Sequence, residues 1–138
     1  MALPTPDGIS TNRSTFLAVE PQLYVTAIEA ACDYYGERLG FTVAFVYGDP
    51  PYYAQVYRDG VQLNLRQVHQ LPFAADFRAR EDDALSATII VEDAAALAAE
   101  FEAAGATFHQ ALRTEEWGTK TIIVADPDGN LIAFASSA

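Results

Sequence analysis

Few side chains in this chain of 138 residues are suited to making and breaking bonds. It holds two histidines, His69 and His109, and one cysteine, Cys32. With so few, no serine or cysteine nucleophile can be matched to a histidine base and an orienting carboxylate. No glycine-rich run of the kind that cradles phosphates occurs either. What the residues offer is a chemistry of binding. Phe45, Tyr47, Tyr53 and Tyr57 crowd one stretch, and Trp117, the only tryptophan, stands beside Gly118 in the polar run Thr114-Glu115-Glu116-Trp117-Gly118. A tryptophan there has nothing obvious to bury against, which makes it the best single candidate for touching a ligand. Aromatic walls with a few polar anchors suit a flat or heterocyclic molecule, and their faces attract a cation.

Side chains of this kind need strands to present them. Phe41–Tyr47, Tyr53–Arg58 and Val61–Val68 read as strands, with Asp59-Gly60 as the tight turn between the last two. Ahead of them Leu17–Val25 reads as a strand. A helix follows, opened by the capping-box pattern Thr26-Ala27-Ile28-Glu29. Ile28, Cys32, Tyr35 and Leu39 recur along it at helical spacing, and Gly40 stops it. The second half repeats this order. Leu85–Val91 is a strand, Asp93 caps a helix with Leu97, Phe101 and Ala104 on one face, and Gly105 ends it. Thr107–Leu112, Thr119–Val124 and Leu131–Ala135 are strands, the last preceded by the dense turn Asp126-Pro127-Asp128-Gly129-Asn130. Thr26 and Asp93, Gly40 and Gly105, and Gly60 and Gly129 fall in near-constant register, so the chain reads as one plan written twice.

The expected architecture is α+β: two βαβββ modules forming a curved mixed sheet with a concave cleft and the helices on the outside. Residues 1–14 read as a flexible tail, 15–68 as the first module, 69–84 as a polar linker and 85–138 as the second module, in one domain. Strand alternation then assigns the cleft. Leu63 and Leu65 should face the helices, leaving Gln62, Asn64 and Arg66 on the concave side. On the first strand Val19, Leu23 and Val25 should face the core, leaving Glu20, Gln22 and Tyr24. On the fifth, Ser86, Thr88 and Ile90 should be concave.

Bulk composition narrows the partners. The formal net charge is −11, from 19 acidic residues against 8 basic ones. That disfavours nucleic acid, whose phosphates call for lysine and arginine, and anionic membranes as well. No apolar run approaches the roughly 20 residues that span a bilayer. The first residues lack a basic region followed by an apolar stretch, so no signal peptide is read. A single cysteine permits no intrachain disulfide, which fits a reducing cytoplasm. Glu81-Asp82-Asp83 and Glu115-Glu116 read as solvated acidic patches, with attraction of a cationic ligand as their functional alternative.

Two motifs, one in each half, carry a resemblance. Asp33 to Phe45, "DYYGERLGFTVAF", and Asp126 to Phe134, "DPDGNLIAF", resemble the signatures of the vicinal oxygen chelate superfamily, the glyoxalase/bleomycin-resistance/dioxygenase fold. The resemblance spans Leu17 to Ala135. It implies four metal-ligand positions, which fall here on Glu20, Asn64, Ser86 and Ala133. Only Glu20 among them is a good ligand for a hard divalent cation. The resemblance is therefore closest to the metal-free bleomycin-resistance-like members, which bind a cationic drug at a dimer interface. It implies no catalytic residue, no metal, no other cofactor and a homodimer, and strand alternation together with the aromatic set assigns ligand contact to Glu20, Phe45, Tyr47, Tyr53, Asn64, Arg66 and Trp117. Arg66 could neutralise Glu20 or hold an anionic group of the ligand, and Glu20 could be a buried acid paired with an arginine or tyrosine. The alternative function is a glyoxalase-type lyase, isomerase or dioxygenase-like enzyme using Glu20 as acid and base.

Overall fold

The computed structural model describes residues 12–137, so most of the expected N-terminal tail lies outside the described residues. The chain runs β1 (Gln22–Val25), α1 (Ile28–Glu37), β2 (Thr42–Tyr47), β3 (Tyr53–Arg58), β4 (Val61–Gln67), α2 (Ala75–Arg80), β5 (Ala87–Ile90), α3 (Ala94–Ala104), β6 (Thr107–Thr114), β7 (Lys120–Ala125) and β8 (Leu131–Ser136). The fold is α+β, with two mixed four-stranded sheets in the orders β1-β4-β3-β2 and β5-β8-β7-β6. In each sheet the first strand pairs parallel to the last, and the other pairings are antiparallel.

The two modules bury the same helical positions. Ile28, Ala31 and Tyr35 are the buried residues of α1, and Ala94, Leu97 and Phe101 those of α3. Each set follows the helical period of roughly 3.6 residues, which turns one stripe of a helix to its sheet. One core joins the modules. Leu23, Val25, Val56, Leu63 and Leu65 of the first sheet cluster with Ile89, Ile122, Val124, Ile132 and Phe134 of the second. These are alternate residues, so each sheet turns one face into the shared core and the opposite face away from it.

Three local readings are corrected. The first strand is only Gln22–Val25, and Val19, expected in the core, is strongly exposed, as are Phe16 and Leu17. Pro21 carries no N–H for a ladder, and its carbonyl accepts from Asn64 N–H, so regular pairing begins after it. Thr26 does not cap α1. Ala27 occupies the N-cap position without a side-chain bond, and Thr26 Oγ1 donates to Asp128 Oδ1 across the module boundary. Asp93 does cap α3, accepting from Ala96 N–H at 3.0 Å. Segment 69–84 carries α2, which Arg78 ties to the rest of the molecule. Its guanidinium lies 4.0 Å from the centroid of the Phe73 ring and donates to the carbonyls of Ala84 and Gly129.

Candidate functional site

The face of the first sheet turned away from the core carries most of the residues singled out by sequence. Its strand register arranges them in rows. Tyr24, Arg66, Tyr53 and Tyr47 are successive partners across β1, β4, β3 and β2. The next row is Gln22, Asn64, Gln55 and Phe45, and the third contains Gln62, Tyr57 and Thr42. Leu63 and Leu65 are buried on the opposite face, so the alternation expected for β4 holds in the structure.

At the centre of this face three polar side chains close on one another. Gln55 Nε2 donates to Glu20 Oε1 at 3.1 Å and to Asn64 Oδ1 at 2.9 Å. Asn64 Nδ2 donates to the same Glu20 oxygen at 3.1 Å. Glu20 is exposed, so it is not a buried acid, and its partners are two amides rather than an arginine or tyrosine. The reason lies in the backbone: residue 20 precedes the first paired residue of β1 and so sits on the sheet surface. Gln55 was not singled out by sequence. The alternation of β3 would have placed it on this face, between Tyr53 and Tyr57.

Aromatic rings flank this cluster. Phe45 and Tyr53 stack with centroids 6.3 Å apart, and Tyr47 meets Tyr52 edge-on at 5.6 Å. Phe45, Tyr47, Tyr52, Tyr57 and Tyr24 are all exposed large side chains. Arg66 is exposed between Tyr24 and Tyr53 in its row, and no salt bridge engages it among the described residues. The arrangement is a platform: flat hydrophobic surface, a carboxylate–amide centre and one guanidinium.

Trp117 stands apart. It lies in the β6–β7 hairpin of the second sheet, 75% exposed. Glu115 holds that hairpin in shape. Its Oε1 accepts from Thr121 Oγ1 at 2.8 Å and from Arg113 Nη2 at 2.9 Å, and these bonds hold the carboxyl below its usual range. The acidic pair Glu115-Glu116 is thus not simply solvated, because Glu115 is committed to its own hairpin. His109 Nε2 lies 3.1 Å from Asp83 Oδ1, so one member of the other acidic run has a partner as well.

The four positions where the resemblance places metal ligands do not make a metal site. Glu20 and Asn64 adjoin, but the Asn64 carbonyl accepts from Gln55. Ser86 Oγ donates to Asn130 Oδ1 at 2.8 Å. Ala133 is buried, pairs with Thr88 and Ile123 in the ladder and offers a methyl group. One free carboxylate is too small a donor set for a cation that takes six or more oxygens, or for zinc's three or four nitrogen, sulfur or oxygen ligands. No three His, Cys, Asp or Glu side chains gather elsewhere among the described residues.

Residues 17–134 match the family model of the Glyoxalase/Bleomycin resistance protein/Dioxygenase superfamily. Several solved structures share the fold. The bleomycin-binding protein of Streptomyces verticillus, solved with copper(II)-bleomycin, superposes with a TM-score of 0.70 at 24% identity, over 91% of this chain and 99% of that one. The bleomycin resistance determinant encoded on transposon Tn5 gives 0.67 at 19% identity, over 88% and 98%. A glyoxalase-related enzyme from Clostridium phytofermentans gives 0.73 at 16% identity, over 92% and 99%. No curated protein matches the chain significantly.

Proposed function

The chain belongs to the Glyoxalase/Bleomycin resistance protein/Dioxygenase superfamily, and from that premise we propose that it is a metal-free binding protein that sequesters a small aromatic or cationic molecule, a drug or a metabolite. The observation that carries this reading is the outward face of the first sheet. Stacked and edge-on aromatic rings surround the Glu20–Gln55–Asn64 cluster there, and the donor set does not suit a metal. Flat apolar surface with a few fixed polar groups is what a small-molecule site requires. A carboxylate beside exposed tyrosine faces adds attraction for a positive charge. The bleomycin-binding protein of similar fold gives the proposal its first candidate ligand.

The platform is open on its own, and the proposed protein is a cytoplasmic homodimer. A second chain would cover the platform of the first, and the Trp117 hairpin on the other module is the element suited to form the far wall. Catalysis by Glu20 has less support. Glu20 Oε1 already accepts two amide N–H bonds, and His109 is paired with Asp83 instead.

Trp117 is the only tryptophan, so intrinsic emission reports on it directly. Titration with bleomycin, a mitomycin-like quinone and other cationic aromatic drugs is expected to quench or shift that emission for at least one of them. Phe45→Ala and Tyr53→Ala should each weaken that ligand about tenfold, as the loss of one aromatic contact implies. Binding unchanged by both substitutions would remove the platform from the site, and no response to any of the drugs would remove the sequestration reading. A tightly held stoichiometric metal in the purified protein would overturn its metal-free form.

A further inference from the structure

A cavity of about 620 Å³ lies between the β3–β4 hairpin of the first module and the junction of β5 and α3 in the second. Val61, Ile89, Leu97 and Phe101 contribute to its apolar floor, and Arg58, Glu92 and Glu100 stand at its rim. The two-module plan explains why it exists. At the other end of the molecule the β7–β8 turn is five residues long, Asp126 to Asn130, and it docks on the first module. Tyr35 donates to Asp126, Thr26 to Asp128, and Asn130 Nδ2 donates to the Tyr24 carbonyl. The corresponding β3–β4 turn is only Asp59 and Gly60. Phe101 takes the place of Tyr35 in the buried stripe of its helix and has no hydroxyl to reach a turn. The short turn leaves open the space that the long one fills.

Both the size and the chemistry of this space are those of a ligand site. Sites for small molecules run from roughly 300 to 1,000 Å³ and combine apolar walls with a few polar groups. Charge at the mouth is one-sided. The Arg58 guanidinium is spent, donating to both oxygens of Glu100 at 2.6 and 2.9 Å and to the Leu39 carbonyl at 3.0 Å. Glu92 and Asp59 are exposed carboxylates on the same lining, and no cation neutralises Glu92 among the described residues.

We propose that this inter-module cavity is a second binding site, separate from the platform, for a compact apolar molecule bearing one positive charge. The ring system enters between the modules, and the cationic group stays at the mouth opposite Glu92. Occupancy would add a contact between the modules beside the Arg58–Glu100 pair that already joins them there.

The test uses three probes of one shape: 1-naphthylmethylamine, 1-naphthalenemethanol and 1-naphthaleneacetate, read by methyl resonances in the full chain. The amine is expected to shift the methyl groups of Val61, Ile89 and Leu97 saturably and to bind about tenfold more tightly than the acetate. Glu92→Gln should bring the amine to the affinity of the alcohol. Ala96→Phe should abolish binding by filling the space from the exposed side of α3, where Ala96 lines the cavity. Gly60→Phe is a second filling variant, at a position where an added Cβ meets nothing within 4 Å. The methyl groups of Val61, Ile89 and Leu97 report on this cavity and the emission of Trp117 reports on the platform, so failure of the platform reading and failure of this one are distinguishable. The proposal is overturned if these methyl groups stay unmoved by all three probes, if the acetate binds as tightly as the amine, or if both filling variants fold and still bind.

Discussion

At the scale of single residues, the most consequential side chain is Asp126. Turn chemistry alone would leave it in solvent, yet it is 6% exposed. Its carboxylate accepts from the N–H groups of Asp128 and Asn130, from Asn130 Nδ2 and from the Tyr35 hydroxyl at 3.0 Å. Burial raises its pKa above the usual carboxyl value, against the pull of those four bonds. The sign for stability follows. A folded pKa above the unfolded one contributes stability that is fully present below the unfolded pKa and is lost as pH rises through the folded pKa. Tyr35→Phe removes one bond that favours the charged form, so the Asp126 carboxyl should titrate at still higher pH in that variant, as read by carboxyl-carbon NMR. Urea unfolding at neutral pH should show a loss of about 1–3 kcal/mol, the cost of leaving a buried acceptor short of a partner. An unchanged Asp126 titration in Tyr35→Phe would mean that the hydroxyl does not bear on the charge.

At the scale of elements, sequence patterns were reliable where the cause of structure is local. Residues 53–58 alternate cleanly and form β3 with the bounds read from sequence. The two glycines that end the helices adopt positive φ, Gly40 at 73° and Gly105 at 81°, conformations that disfavour a side chain. Pattern reading failed where distant contacts decide. The capping-box pattern at Thr26 is genuine, but the β7–β8 turn offers that hydroxyl a carboxylate, and the helix starts without it. Asp93 has no such competitor among the described residues and caps as expected. Asp93→Ala should therefore cost roughly 0.5–2 kcal/mol by thermal unfolding. Thr26→Val should cost little, since it breaks only an exposed bond. Helix α2 was not legible because six residues do not form a stable helix alone. It depends on Arg78, whose planar guanidinium stacks on Phe73 while donating to two carbonyls. Lysine cannot do both, so Arg78→Lys should abolish protection of the Glu81 amide in hydrogen exchange much as Arg78→Ala does. Protection retained by lysine would assign the anchoring to charge alone.

At the scale of the whole molecule, the question is which faces meet. Alternation showed that Asn64 and Arg66 share a face, because a strand's period is a local property. It could not show that the helix-bearing faces of both sheets are used up within one chain, which depends on how the two modules dock. That docking leaves the platform uncovered, with Phe45, Tyr47 and Tyr57 in solvent. Exposed apolar clusters of this kind mark contact surfaces, and pairing through a two-fold axis covers both copies at once. If a second chain closes the platform, the protein should sediment as a dimer at micromolar concentration, with a melting temperature that rises with concentration. A species of 15.0 kDa throughout that range would overturn the dimer. Mixed chains then test whether each cleft is shared. Trp117→Ala and Tyr53→Ala homodimers should each bind a drug identified by the emission titration poorly. In a shared cleft the heterodimer joins the intact platform of one chain to the intact hairpin of the other, so mixing should restore about a quarter of wild-type capacity for random pairing. With platform and hairpin acting within one chain, every cleft in the mixture carries one defect and no high-affinity sites return.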